Sequence, residues 1–234
     1  MVRKTVCALM LLFSGLSIAQ PAAATTILIT YTGTVSSGYD FSGVFGASTT
    51  SLTGDTFKSV YTLTYPTTGV TDYNIGSTHY VKGGSDFSTL SPVSGQLTIN
   101  GITQSFDGKV VGEHLLASLD SGIAEVLDVA GAVRQPNENS IFNRIYSMTD
   151  NFITSTSFAD SFNYAVTAND HSSGTFNIVS NNGDESAFGV LESLTVSIQS
   201  VSAVPEPATW GMMIFGFGIA GVTLRARRRE AALA

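Results

Sequence analysis

Gly95-Gln96-Leu97-Thr98-Ile99-Asn100-Gly101-Ile102-Thr103-Gln104-Ser105-Phe106 holds two short alternating runs about an Asn-Gly pair. That pair is a strong hairpin signal, because both central residues of a type I′ turn need positive φ. The same two-residue period recurs outward from it. It is seen in Thr26-Ile27-Leu28-Ile29-Thr30-Tyr31 and Val60-Tyr61-Thr62-Leu63-Thr64-Tyr65. It returns in Ile123-Ala124-Glu125-Val126-Leu127-Asp128-Val129, Thr175-Phe176-Asn177-Ile178-Val179 and Leu194-Thr195-Val196-Ser197-Ile198. Each run is bounded by Gly, Asn, Asp, Ser or Pro, which turns require. Thr, Ser, Gly, Val, Ile, Tyr and Phe dominate between the ends, while Lys, Glu, Arg and Gln are scarce. This composition and spacing predict an all-β body, an antiparallel β-sandwich or jelly-roll-like barrel. Helix is expected to be minor; Ser140 to Asp150 and Phe152 to Phe162 fit a turn or two of helix as well as they fit strands.

The body, residues 25–203, is long enough for one domain with a real core. It carries five basic residues (Lys58, Lys82, Lys109, Arg134, Arg144) against sixteen acids, a balance of −11. So acidic a surface is soluble, repels anionic surfaces and argues against nucleic acid as a partner. The single cysteine, Cys7, lies outside the body, which therefore holds neither a disulfide nor cysteine chemistry.

Residues 1–24 read as a secretory signal peptide, which implies the Sec export machinery as a partner. Arg3 and Lys4 form the basic region, Val6 to Ile18 the apolar run, and Ala22-Ala23-Ala24 a small-residue cleavage site with Thr25 as the new N-terminus. The alternative is a permanent N-terminal anchor. At the other end, Pro205-Glu206-Pro207 bars helix from the N-terminal side. Trp210 then heads an uncharged run to Leu224, and Arg225, Arg227, Arg228 and Arg229 close it. An interfacial aromatic and a basic flank read as a single membrane-spanning helix with its C-terminus in the cytoplasm and the body outside. The run covers roughly 22 Å against a hydrocarbon core of about 30 Å, a mismatch that snorkelling arginines and local thinning can absorb. A buried amphipathic C-terminal helix is the alternative.

Taken together, these tail residues resemble the PEP-CTERM sorting signal: a Pro-Glu-Pro motif, a short glycine-bearing span and an arginine-rich end. The likeness extends to Trp210, Met212-Met213 and Gly216-Phe217-Gly218, with Gly211 where alanine is usual. It covers residues 204–229, with 230–234 a short tail beyond. The resemblance implies recognition by an exosortase, a membrane processing enzyme with a catalytic cysteine, and removal of the tail near Pro-Glu-Pro. It implies nothing about the body's ligand. A weaker resemblance, to a segment common at the start of such bodies, runs from Tyr31-Thr32-Gly33-Thr34-Val35 through Tyr39-Asp40-Phe41-Ser42-Gly43-Val44-Phe45-Gly46 and Leu52-Thr53-Gly54-Asp55-Thr56-Phe57 to Tyr61-Thr62-Leu63-Thr64-Tyr65. Physically, Gly43 and Gly46 would free the backbone at a bend, Phe41, Phe45 and Phe57 would cap the core, and Asp55 would accept turn amides.

No catalytic constellation is legible, and no enzyme is expected. His79, His114 and His171 are widely separated, and no zinc-binding, nucleophile-elbow or phosphate-loop motif occurs. Glu113 and His114, adjacent on a strand, would face opposite sides. Calcium is the one cofactor for which the sequence offers ligands: Asn169-Asp170-His171 and Asn181-Asn182-Gly183-Asp184-Glu185 place oxygens beside strands, with Asp170, Asp184 and Glu185 the candidate ligands. Turns alone would also explain these residues. Some ice-binding proteins carry the same tail, but Thr32-Gly33-Thr34, Thr62-Leu63-Thr64 and Thr154-Ser155-Thr156 recur at unequal spacing and form no solenoid repeat. The expectation is an exported envelope or extracellular-matrix protein, associated with exopolysaccharide and biofilm. A calcium-assisted, lectin-like module is the alternative, and a secreted hydrolase or an ice-binding protein ranks below it.

Overall fold

The computed structural model describes residues 25–65, 70–84, 90–107, 110–119, 123–131, 139–179 and 184–201, together with Phe217 and Arg225. The chain divides between its body, Ala24–Val204, and its terminal segments, Met1–Ala23 and Pro205–Ala234. In the terminal segments Phe217 and Arg225 are helical and exposed. The signal peptide with Ala22 and Ala24, and the tail residues Pro205, Glu206, Pro207, Trp210, Arg227, Arg228 and Arg229, lie outside the described residues. Among the described residues no helix is long and apolar enough to cross a membrane.

The body is antiparallel sheet. Its strands are β1 Thr25–Asp40, β2 Thr50–Ser51, β3 Thr56–Tyr65, β4 Thr71–Ile75, β5 Thr78–Gly84, β6 Val93–Ile99 and β7 Ile102–Phe106. They continue as β8 Val111–Leu119, β9 Ile123–Gly131, β10 Ser140–Ser147, β11 Phe162–Ala165, β12 Asp170–Val179 and β13 Glu185–Val201. Hydrogen bonds join them in the order β4-β5-β8-β9-β10-β12-β13-β1-β3-β6-β7, with β2 beside β1 and β11 beside β13. This one sheet folds over on itself: β6 packs against β8, β9 and β10, and β3 against β9. A β-sandwich-like body results, as the alternation predicts.

Inward-facing residues follow the two-residue period. Ile27, Ile29 and Tyr31 of β1, Tyr61 and Leu63 of β3, Leu97 and Ile99 of β6, and Ile141 and Ile145 of β10 are all buried. The layers approach closely at Gly95, where a Cβ would sit 2.9 Å from the Ala130 Cβ and 3.0 Å from the Ile141 side chain. The β6–β7 hairpin turns at Asn100 and Gly101 with φ of 52° and 76°, so both central residues are left-handed as a type I′ turn demands. Ile99 and Ile102 flank it as partners.

Neither segment that could have held helix does. Ser140–Ser147 is a central strand between β9 and β12, its inward set Ile141, Asn143, Ile145 and Ser147. Beyond it, short side chains divert the backbone from helix. Ser147 Oγ accepts the amides of Thr149 and Asp150, Ser155 Oγ that of Ser157, and Ser157 Oγ that of Ala159. Ile153 and Phe158 anchor this irregular segment to the core.

Candidate functional site

β13 is longer than any one neighbour on its outer edge. Thr175–Val179 of β12 pairs with Glu185–Val190, and farther along Phe162–Ala165 of β11 pairs with Thr195–Ile198. Between them the sheet forks. Across the fork the ladder gives way to single ties, a side-chain one from Ser193 N–H to Ser172 Oγ at 2.6 Å and a backbone one from Val166 N–H to the Leu194 carbonyl at 2.9 Å. A cleft of about 420 Å³ opens there, with Thr167, Asp170 and His171 on one wall and Glu192 and Leu194 on the other.

Asp170 belongs to the turn that builds this cleft. Its Oδ2 accepts the Tyr164 hydroxyl at 2.7 Å, the Thr167 amide at 2.6 Å and the Thr167 hydroxyl at 2.9 Å. Burial opposes ionisation, but the Thr167 amide and the Tyr164, Ser147 and Thr167 hydroxyls outweigh it and hold the carboxyl below its usual range. Burial and the bond to Asp170 in turn push the Tyr164 hydroxyl up to about 12. His171 stacks on Tyr146 at 4.6 Å, and the Arg144 guanidinium lies over the other ring at 4.5 Å from its centroid while bonding Glu125 at 2.7 Å. The Glu192 carboxylate makes no hydrogen bond or ion pair among the described residues.

The three candidate calcium ligands do not converge. Asp170 begins β12, whereas Glu185 pairs with Val179 at its far end, about 30 Å away along the strand. Asp184 precedes Glu185, and Asn181, Asn182 and Gly183 lie outside the described residues. Among the described residues no cluster of three or more His, Asp and Glu is placed to hold a metal ion. A hard cation wants six to eight oxygens, and Asp170 already spends one of its two on the turn. Among the described residues the donor set does not fit calcium.

At the domain's start it is Asp40, not Asp55, that accepts turn amides. Its Oδ1 takes those of Ser42, Gly43 and Val44 and its Oδ2 that of Phe45, at 2.7 to 3.2 Å. Asp55 instead accepts the Asn100 side chain at 2.8 Å. Gly43 and Gly46 have φ of 79° and 149°, as a sharp bend there requires. Phe45 and Phe57 are buried, but Phe41 is 43% exposed. Asp40 fixes the bend so that Phe41 turns outward, 4.8 Å from the Tyr39 ring and 5.9 Å from that of Phe188.

The sequence reading missed a polar row inside the sandwich. His114, Asp128 and Asn143 are register partners on β8, β9 and β10, all fully buried. Asp128 Oδ1 meets His114 Nδ1 at 2.7 Å, and its Oδ2 accepts the Tyr31 hydroxyl at 2.7 Å. Tyr61 donates to Asn143 Oδ1 at 2.9 Å, and Asn143 Nδ2 to Ser193 Oγ at 3.3 Å. Burial and then Asp128 raise the Tyr31 and Tyr61 hydroxyls well above their ordinary value, so both remain donors. His114 packs on Phe158, against which His79 also stacks, 3.5 Å between centroids. A histidine–carboxylate pair of this kind orients an imidazole for acid–base work. Here no hydrogen-bond partner meets His114 Nε2, and the pair is sealed from solvent. Glu113 faces the other way, paired with Lys82 at 3.0 Å. The available signal was phase: Ala124, Val126, Asp128 and Ala130 share the inward face of β9, and one of them is charged.

Among known proteins, no curated sequence and no solved structure matches this chain. A family model does match its end, over residues 203–229, which include Pro205, Glu206, Pro207, Trp210, Arg225, Arg227, Arg228 and Arg229. The chain therefore carries a PEP-CTERM protein-sorting motif, the mark of an exported protein made as a membrane-anchored precursor and processed by an exosortase-type membrane enzyme.

Proposed function

We propose that this is a non-enzymatic component of the cell envelope or extracellular matrix, placed there by its tail and associated with exopolysaccharide. The sorting motif at 203–229 carries the reading. In it, residues 1–24 direct export, Trp210 to Leu224 hold the precursor in the inner membrane, and the arginines fix its orientation. The acidic body then stays soluble outside the cell. The second reading, a carbohydrate-binding module, gains support from the exposed Phe41 and Phe188 rings beside half-buried Tyr39 and from the polar cleft on the body, and it does not need calcium.

Intact mass of the protein recovered from envelope and medium tests the sorting reading. A mature form starting near Thr25 and ending near Pro205-Glu206-Pro207 is expected. Glu206→Ala should block processing while leaving export intact, and neutral residues at 225, 227, 228 and 229 should weaken retention. Release of both variants like the wild type would refute the assignment.

A further inference from the structure

The exposed aromatic cluster and the cleft belong to one continuous surface. Along β13 the burial alternates, and Phe188, Val190, Glu192 and Leu194 all point outward. Phe188 is 38% exposed and joins Phe41 and Tyr39 at one end; Glu192 and Leu194 face His171 across the cleft at the other. From Phe188 to Leu194 the distance is roughly 20 Å at strand rise. The rows beside the strand are polar: Asn177 and Thr175 of β12 lie opposite Phe188 and Val190, and Ser37 and Thr34 of β1 lie opposite Val190 and Glu192.

We propose that this track along β13 binds a neutral polysaccharide chain, without metal. The proposal rests on the reading of the body as an exported, glycan-facing domain and names the site and the ligand class. A pyranose ring has an apolar face and a rim of hydroxyls. The track supplies the matching pattern, with aromatic and aliphatic side chains along its middle and hydroxyl and amide groups at its margins. The Glu192 carboxylate, without a partner among the described residues, and the His171 ring, held by Tyr146, face each other across the cleft and can accept and donate to sugar hydroxyls. Charge selects against acidic polymers. Glu192 and an Asp170 kept ionised line the cleft, and the body carries −11. Uronate-bearing chains and anionic lipid surfaces are repelled.

The test is retention of the full chain, as recovered from envelope or medium, on cellulose, curdlan and dextran, with alginate as the anionic control. Retention on at least one neutral glucan is expected, unchanged by EDTA and weak on alginate. The paired changes Phe41→Ala with Phe188→Ala, and separately Glu192→Gln with His171→Ala, should each weaken it roughly tenfold, the scale of one lost anchor contact. Ile75→Thr, on exposed β4, should leave it unchanged, and urea unfolding checks that every variant is folded. Failure to bind any of the three glucans, loss of binding with EDTA, stronger binding to alginate, or full retention by both pairs would overturn the proposal. Mass of the same preparations reads the sorting assignment independently, so either can fail alone.

Discussion

Replacing Asp128 by alanine should be among the costliest single changes in the body. Its two oxygens satisfy the His114 ring and the Tyr31 hydroxyl, each at 2.7 Å and fully buried. Truncation strands both donors, at about 1–3 kcal/mol each. The sum, about 4 kcal/mol, is a large part of a typical domain's ~5–15 kcal/mol. For a body of this size it corresponds to a fall in Tm of roughly 8–16 °C. Urea unfolding followed by far-ultraviolet circular dichroism should show a lower midpoint at unchanged slope. A double-mutant cycle with Tyr31→Phe isolates the cause. Alone, Tyr31→Phe leaves Asp128 short of a donor and should cost about 1–3 kcal/mol; beside Asp128→Ala it removes an orphaned hydroxyl and should cost almost nothing. Equal cost in both backgrounds would refute the coupling and with it the role of the buried row.

Alkali should unfold the body through its tyrosines. Tyr31 and Tyr61 keep their protons when folded, whereas in the unfolded chain they lose them above about pH 10. The native state then binds more protons, so stability is fully present below pH 10 and falls as pH rises, by about 2.7 kcal/mol per pH unit for the two. Tyr31→Phe should lower the slope by about 1.4 kcal/mol per pH unit in urea titrations run across pH 9.5 to 11.5. Gly95→Ala should overpack the layer contact and cost about 1–3 kcal/mol, and Ala130→Gly in the same chain should restore part of the loss by removing the methyl group it strikes.

The strands that sequence reading finds are those with an apolar inward set, and the ones it misses lack it for stated reasons. β4, Thr71-Asp72-Tyr73-Asn74-Ile75, is an edge strand exposed at every residue and so has no alternation to read. β5 ends in Gly83-Gly84, which resembles a loop, and the inward set of β8 includes Gly112 and His114. Gly112 is small because Val93 backbone atoms lie 2.6 and 2.8 Å from where its Cβ would be, a fact of the folded layers alone. Asp128 was legible by phase within a recognised strand, but its partner His114 is brought to it by the register of β8 and its partner Tyr31 by the folding of the sheet over itself. The cleft was least legible of all. It arises where β12 leaves the edge of β13 and β11 takes it up, and no local pattern encodes that hand-over.

The pairing of β1 with β13 sets when this protein can finish folding. Thr26 lies opposite Val201, and the register runs from there to Asp40 opposite Ala187, so the first strand of the body waits for the last. β12 and β11 need β13 as well, and closing so long a loop is entropically slow. A chain threaded across a membrane from its N-terminus would therefore emerge with β1 able to pair with β3 on one edge, while its β13 edge stays open until nearly all of the body has followed. The strand that completes the sheet ends at Val201, and the sorting motif begins at residue 203, so the last strand the domain needs is made just before the tail.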